Sequence, residues 1–237
     1  MKKILMVLSA ADHWTLADGT RQPAGFWAEE AVGPYQEFTA AGYEVVAATP
    51  GGVPPTVDPI SLMPEYAGGA EHAEALRAAL AEANALANPL RLDSVDLAEF
   101  DAVFYPGGWG PMEDLSTEPV SGRLLVEALA AGKVVALVCH GPAALLSTID
   151  ETGASPFAGY RITSMSNEEE KIGGMADRAK WLLQDRLTQD LGIDYRAGVA
   201  YEPHIEVDRN VLTGQNPASA IPLAKGMLAA LANGDRS

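Results

Sequence analysis

The single cysteine of the chain, Cys139, stands where a thiol could act as a nucleophile. It follows the apolar run Val134 to Val138, which predicts a strand buried on both faces, and it precedes His140-Gly141-Pro142. Pro142 suits the first turn of a helix because it has no N–H to satisfy, and Gly141 allows a tight turn. The pattern predicts a nucleophile elbow, a strand-to-helix corner that presents a reactive side chain.

The helix that begins at this corner affects the charge state of the thiol. The N-terminus of a helix carries partial positive charge and free N–H groups, so we expect it to lower the pKa of Cys139 and to stabilise an oxyanion. A lone cysteine after an apolar run is more often inert core packing, but a core strand has no need of the corner residues. A redox-sensing role is a further alternative, since a thiol of low pKa oxidises readily.

Composition and charge narrow the classes of function. The 237 residues carry 16 Lys and Arg against 32 Asp and Glu, and the net charge of -16 argues against nucleic acid or an anionic membrane surface as a partner. One cysteine allows neither an intramolecular disulfide nor a cysteine-cluster metal site. No stretch approaches the roughly 18 apolar residues of a membrane span. The apolar run at the N-terminus ends at Asp12-His13, which predicts a buried first strand and a cytoplasmic protein rather than a signal peptide.

The elements that must position the cysteine alternate between strand and helix. Predicted strands cover residues 3–9, 43–49, 101–105, 134–138, 160–163, 205–207 and 211–213. Predicted helices cover residues 26–41, 70–86, 119–131, the corner helix from residue 142, 177–191 and 217–232, with Asn216 as a cap. The alternation predicts a doubly wound α/β fold, a mostly parallel sheet with helices on both faces. No linker or repeat interrupts it, so we expect one domain over residues 1–237.

Three segments would meet at one edge of this sheet. Ligands of doubly wound sheets bind at the carboxyl ends of the strands. The long loop from Ala10 to Ala24 follows the first strand, Gly107-Gly108 follows the third, and Cys139-His140 follows the fourth. Long loops inside a compact domain are often functional.

Several runs of this sequence resemble a known family. The stretches 104–110 and 136–143 resemble the ThiJ/PfpI superfamily, which has a flavodoxin-like, class I glutamine-amidotransferase-like fold. The stretches 25–31, 162–170 and 212–219 are similar to its heat-shock chaperone and glyoxalase III branch. The resemblance covers nearly the whole chain, and Cys-His-Gly-Pro with Thr-Gly-Gln-Asn-Pro-Ala-Ser are its most specific parts.

The resemblance implies a nucleophile and a proton carrier. Cys139 would be the nucleophile, and Glu30 would be a buried carboxyl that shares a proton with the thiol. A desolvated carboxyl has a raised pKa, which suits that role. From the residues alone, Glu30 would be a solvated helix glutamate, and whether Glu30 or its neighbour Glu29 faces inward stays open; the family pattern selects Glu30.

The resemblance also implies that His140 is the acid or base and that a carboxylate orients it. The family pattern selects Glu170, and the adjacent Glu168 and Glu169 are alternatives. Backbone N–H groups of Gly108 and His140 would form the oxyanion hole. The four histidines show no ligand spacing, and no step requires a cofactor, so we predict neither metal nor cofactor.

The implied reaction converts methylglyoxal to lactate without glutathione. Cys139 would add to the aldehyde to give a hemithioacetal. A proton would then pass from C1 to C2 through an enediol, carried by Glu30 or His140, and water would release the product. The resemblance further implies a small dicarbonyl or aldehyde substrate and a homodimer.

Other functions are open at this stage. A holdase chaperone needs an exposed apolar patch, for which residues 50–67 are the candidate segment. Protein deglycation and a small cysteine peptidase or amidase are further alternatives. In amidotransferases the histidine lies far downstream of the cysteine, so the adjacency of Cys139 and His140 weighs against glutamine hydrolysis.

Overall fold

The computed structural model describes residues 2–234, in which the chain forms eleven strands and eight α-helices. The strands are β1 (Lys3–Val7), β2 (His13–Thr15), β3 (Arg21–Pro23), β4 (Glu44–Thr49), β5 (Leu90–Arg91), β6 (Ala102–Tyr105), β7 (Val134–Val138), β8 (Arg161–Ile162), β9 (Asp194–Tyr195), β10 (Ile205–Asp208) and β11 (Val211–Gly214). The helices are α1 (Ala28–Ala40), α2 (Ala70–Glu82), α3 (Asn84–Ala87), α4 (Gly110–Glu113), α5 (Pro119–Ala130), α6 (Asn167–Ile172), α7 (Leu183–Gln189) and α8 (Ala220–Gly234). Residues 1 and 235–237 of the predicted domain lie outside the described residues.

Seven strands form the central sheet in the order β10-β11-β7-β6-β1-β4-β5. All neighbours are parallel except β10 and β11, which form an antiparallel hairpin at one edge. The strands β1, β6 and β7 are continuous apolar runs, as strands buried on both faces require. The predicted doubly wound, mostly parallel sheet is confirmed.

Alternate residues of each central strand serve opposite faces of the sheet. In β1, Ile4 and Met6 belong to a core cluster that includes residues of α1 and α8. Leu5 and Val7 belong to a second cluster that includes residues of α5 and α7. The core therefore has two layers, and the carboxyl ends of β1, β6 and β7 come together between them.

The long loop predicted after β1 contains a hairpin, which the sequence analysis missed. Strands β2 and β3 pair in antiparallel register, with Trp14 opposite Gln22. Trp14 is 1% exposed and stacks on Trp109, with 6.0 Å between the ring centroids. Three-residue strands are too short to show a periodic pattern, and long-range contacts hold this hairpin, among them the stacked tryptophans and the bonds of Thr15 to Glu113.

The helix predicted over residues 177–191 forms only at Leu183–Gln189. Gly174, in the left-handed region with φ of +71°, ends the turn after α6. The N–H groups of Met175 and Ala176 then both donate to the carbonyl of Glu170, at 2.8 and 3.1 Å. These bonds fold the segment back on α6, so residues 177–182 form turns instead of helix.

The corner helix and the start of the last helix also differ in detail from the prediction. The corner helix, Gly141–Thr148, is a 3₁₀ helix, in which the hydroxyls of Ser147 and Thr148 donate to carbonyls three residues earlier. Asn216 does not cap the last helix through its side chain. Its amide instead donates to Glu169 Oε1 and to the carbonyl of Glu202, both at 2.8 Å.

No helix among residues 2–234 is long and apolar enough to span a bilayer.

Candidate active site

Cys139 occupies a strained corner at the end of β7. Its φ of +59° lies in the left-handed region, which is rare for a residue with a side chain. Its N–H donates to the carbonyl of Gly214, and its carbonyl accepts from the N–H of Met165, both at 2.9 Å. These bonds from the end of β11 and from the segment before α6 hold the strained conformation. The predicted elbow is present, with Cys139 only 2% exposed.

The turn after β6 packs directly on this corner. A Cβ atom on Gly107 would lie 2.5 Å from the backbone nitrogen of His140, and one on Gly141 would collide with the carbonyl of Tyr105. Glycine is the one residue that allows two backbone turns to approach so closely. The glycines of both predicted motifs therefore serve to bring Gly107-Gly108 against the thiol.

Glu30 is buried completely in the first turn of α1. Its Oε2 accepts a hydrogen bond from the N–H of Gly107 at 2.7 Å. Its Oε1 has no well-formed hydrogen bond among the described residues, although the carboxyl is close enough to the Cys139 thiol for each group to shift the pKa of the other. Burial raises the pKa of Glu30 to about 8, so the carboxyl holds its proton at neutral pH. The neighbouring Glu29 is partly exposed and lies 3.6 Å from His72.

The pKa of the Cys139 thiol contradicts the expectation from the helix N-terminus. Burial, followed by the carboxyl of Glu30, raises that pKa well above its ordinary value. A hydrogen bond from the N–H of Gly108 acts in the opposite direction and is a smaller effect. The site therefore begins with both the thiol and the Glu30 carboxyl protonated.

His140 links the thiol to a second buried carboxylate. Its Nδ1 lies 3.3 Å from Cys139 Sγ, and its Nε2 lies 2.6 Å from Glu170 Oε1. His140 and Glu170 are each 2% exposed, so the pair is shielded from solvent. Of the two alternatives to Glu170, Glu168 is exposed and Glu169 is buried but bonds elsewhere. The geometry therefore brings Glu170 to the place that the family pattern selects.

The two predicted oxyanion donors lie beside the thiol. Gly108 has φ of +87°, and a Cβ atom there would collide with the carbonyl of Gly25. The Gly108 N–H is close enough to the Cys139 thiol to lower the pKa of that thiol. The N–H of His140 has no backbone acceptor among the described residues. Two donors converging at a nucleophile suit an oxyanion hole, and that role stays a prediction.

A cavity of about 870 Å³ opens at the corner. Cys139, His140, Glu170 and Gly108 line it, whereas Glu30 lies behind the thiol and does not. Four aromatic residues also line it: Trp27, Tyr66, Trp109 and Tyr201. Cavities of this size hold ligands much larger than a three-carbon aldehyde.

Sequence reasoning missed a further buried carboxyl, Asp58. It is fully buried, and its Oδ1 accepts from the N–H of Ile60 at 2.9 Å while its Oδ2 has no hydrogen-bond partner among the described residues. Burial raises its pKa to about 6, and its charge in turn contributes to raising the pKa of Glu30. The only signal in the sequence was an Asp-Pro pair in a stretch without periodicity.

A downstream histidine-x-glutamate pair does occur in the chain but does not serve the thiol. His204 Nε2 lies 3.2 Å from Glu206 Oε1, whereas the histidine whose ring is hydrogen-bonded to the Cys139 thiol is His140. Within residues 2–234 no three His, Cys, Asp or Glu side chains form a group that could hold a metal ion, and a metal-free site stays a prediction.

Comparisons with known proteins show which proteins this chain is similar to. A model of the DJ-1/PfpI family matches residues 23–230. Glyoxalase 3 of Candida albicans is 28% identical over 239 residues, which span 97% of this chain and 98% of that protein. The protein/nucleic acid deglycase HchA of Staphylococcus aureus is 28% identical over 231 residues, spanning 94% and 77%. A crystal structure of glyoxalase III from Candida albicans superimposes with a TM-score of 0.81 at 25% identity, covering 97% of each chain.

Proposed function

The chain belongs to the DJ-1/PfpI family, and we propose that it acts there as a glutathione-independent glyoxalase, which converts methylglyoxal to lactate. The observation that carries the proposal is the buried thiol of Cys139, which is hydrogen-bonded to His140 and close enough to the protonated carboxyl of Glu30 for each group to shift the pKa of the other. The relatives named glyoxalase 3 and glyoxalase III support it at the level of the family.

The first step is addition of the thiol to the aldehyde. Cys139 Sγ bonds to C1 of methylglyoxal, the C1 carbonyl becomes a hydroxyl, and the thiol proton is the one that balances this change. His140 Nδ1, 3.3 Å from Sγ, is placed to receive that proton and pass it on. The N–H groups of Gly108 and His140 stabilise negative charge on the C1 oxygen while the bond forms.

The second step moves a proton within the adduct. The C1 proton leaves to give an enediol, and C2 is then protonated to give a lactoyl thioester on Cys139. Glu30 or His140 carries the proton, because His140 is hydrogen-bonded to the sulfur that bears the adduct and Glu30 is close enough to it for each group to shift the pKa of the other. Water then hydrolyses the thioester and releases lactate and the free thiol. The protein supplies its own thiol, so the reaction consumes no glutathione.

The test is lactate formation from methylglyoxal by the purified protein without glutathione. We expect the wild type to form lactate and the Cys139→Ala variant to form none, with both proteins folded by circular dichroism. Equal lactate formation by the two proteins, or none by either, would contradict the proposal. In the second case amide hydrolysis becomes the next reaction to assay.

Deglycation is a second candidate, favoured by two observations. One relative bears the name protein/nucleic acid deglycase, and the cavity of about 870 Å³ has room for an adduct on a larger molecule. The two activities separate when a preformed adduct of methylglyoxal with a lysine peptide is offered beside a scavenger of free methylglyoxal. Loss of the adduct faster than in a parallel mixture with the Cys139→Ala variant favours deglycation, because the scavenger alone also depletes a reversible adduct; equal rates in the two mixtures favour a glyoxalase alone.

A holdase function rests on the segment 50–67, where Val53, Met63 and Tyr66 are 49%, 46% and 60% exposed. Because such a function would not depend on the thiol, the Cys139→Ala variant should still suppress aggregation of a heated client if it exists. We also propose a homodimer, which sedimentation equilibrium would test.

A further inference from the structure

Glu169 is the other buried glutamate of α6, and it is held by four hydrogen bonds. Its Oε2 accepts from the N–H of Ser166 at 2.9 Å and from the hydroxyl of Ser166 at 2.7 Å. Its Oε1 accepts from the N–H of Tyr201 and from the side-chain amide of Asn216, both at 2.8 Å. Ser166 is the N-cap of α6 itself and forms a capping box with Glu169, whereas Tyr201 and Asn216 lie 32 and 47 residues further along the chain than Glu169. One carboxylate therefore joins the start of α6 to two distant segments.

Tyr201 is tied to Glu169 at both ends. Its N–H donates to the carboxylate, and its hydroxyl donates to the backbone carbonyl of the same residue at 2.8 Å. Tyr201 has φ of +60°, a conformation that costs free energy in a residue with a side chain. Its ring lines the cavity. The two bonds therefore hold a strained residue in the wall of the active site.

Asn216 connects Glu169 to the turn between β11 and α8, where Asn216 lies. Its amide also donates to the carbonyl of Glu202 at 2.8 Å, and its Oδ1 accepts from the hydroxyl of Ser219 at 2.9 Å. This network gives a structural reason for the Asn-Pro-Ala-Ser run, to which no step of the proposed reaction assigns a role.

The neighbouring residue of α6 is Glu170, which orients His140. Consecutive residues of a helix point about 100° apart, so Glu170 reaches His140 while Glu169 reaches Tyr201, Asn216 and the N-cap Ser166. We propose that Glu169 is a positioning residue, whose carboxylate fixes α6 and Tyr201 around the cavity and so keeps Glu170 in line with His140. Its kinetic test rests on the proposed glyoxalase function.

The substitution Glu169→Gln tests the idea with little change in volume. A glutamine side chain presents one acceptor oxygen and one NH₂ group. Whichever way the amide turns, the NH₂ group faces donors on one side, either at Ser166 or at Tyr201 and Asn216. At least one buried N–H then loses its acceptor, which weakens either the N-terminal cap of α6 or the connection of α6 to Tyr201 and Asn216.

Two measurements are made on Glu169→Gln, with Glu168→Gln as the matched control because Glu168 is exposed. With methylglyoxal, we expect kcat to fall about tenfold or more and KM to change less than about twofold, since misalignment of the His140 pair affects the chemical step. The rate of Cys139 alkylation by iodoacetamide should fall in parallel, and this second readout needs no glyoxalase activity. The control should match the wild type in both.

A merely structural role would lower the melting temperature and leave kcat per folded molecule and the alkylation rate unchanged, which would overturn the proposal. If the wild type forms no lactate, the alkylation rates alone decide. If Glu169→Gln does not fold, Tyr201→Phe decides, because it removes only the hydroxyl bond to the Glu169 carbonyl. We expect it to reduce the alkylation rate about threefold. A wild-type rate in that variant would contradict the proposal.

Discussion

Glu30 and Glu169 are both fully buried around the same thiol, yet the protein holds them in opposite ways. Glu169 receives four hydrogen bonds, whereas Glu30 receives one and leaves its Oε1 without a well-formed bond. A buried carboxyl without enough donors retains its proton to higher pH, and the pKa of Glu30 is about 8. The comparison separates two uses of a buried acid: Glu30 is suited to move a proton, and Glu169 to hold segments in place.

Removing the acid from Glu30 should have the largest effect. Glu30→Gln keeps the acceptor for the Gly107 N–H but has no proton to exchange with the Cys139 thiol. We expect kcat for methylglyoxal to fall by a factor of about 10² to 10⁴, the range for a positioned acid or base. Steady-state kinetics measures it, with Glu37→Gln on the same helix as control. A loss of less than threefold in Glu30→Gln would break the distinction between the two glutamates.

The carboxylate that orients His140 should contribute less, because it acts through another residue. Glu170→Gln keeps an acceptor for His140 Nε2 but removes a charge from a buried pair 2.6 Å apart. We expect kcat to fall about 30-fold, which is less than the range for a group that transfers the proton itself, with KM little changed. A fall in kcat as large as that of Glu30→Gln would show that the histidine, not Glu30, carries the main proton.

The stability of the folded state should also record the raised pKa of Glu30. The folded protein keeps this proton up to about pH 8, whereas an unfolded glutamate releases it near its ordinary pKa. The wild type therefore loses stability as pH rises through that window, by up to about 1.4 kcal/mol per pH unit. Glu30→Gln has no such proton, so its free energy of unfolding should improve relative to the wild type between pH 5 and pH 8. If urea titrations show that the free energy of unfolding changes with pH in the same way in the two proteins, the prediction is wrong.

Substitution of Asp58 should have the smallest effect on kcat, and it should act mainly on the pH dependence of kcat. Asp58→Asn keeps the acceptor for the Ile60 N–H but removes a charge that raises the pKa of Glu30. We expect kcat at pH 7 to stay within about threefold of the wild type and the pH profile of kcat to move to lower pH. A shift to higher pH would mean that Asp58 does not act on Glu30 through its charge.

The sequence was sufficient for the features that depend on local pattern. Continuous apolar runs predicted β1, β6 and β7, and Gly141-Pro142 predicted the corner after Cys139. The hairpin of β2 and β3 escaped because it depends on the stacking of Trp14 on Trp109, which are far apart in the chain. Long-range packing of this kind leaves no periodic signal.

The electrostatics of the site were the least accessible to sequence reasoning. A helix N-terminus predicted a lowered pKa for Cys139, but burial and Glu30 dominate and raise it. The roles of Glu169 and Glu170 differ although the residues are adjacent, because the difference depends on which segments surround each side chain. Only the three-dimensional structure contains that information.

The coupling between Glu30 and the thiol is central to the proposed chemistry, and a pH titration of Cys139 tests it directly. The rate of alkylation by iodoacetamide, followed against pH in the wild type and in Glu30→Gln, gives the pKa of the thiol in each. We predict a pKa well above the ordinary value in the wild type and a lower pKa in the variant, because the charge of Glu30 no longer opposes the thiolate. An unchanged or higher pKa in Glu30→Gln would contradict the coupling and, with it, the assignment of Glu30 as the acid that shares the proton of Cys139.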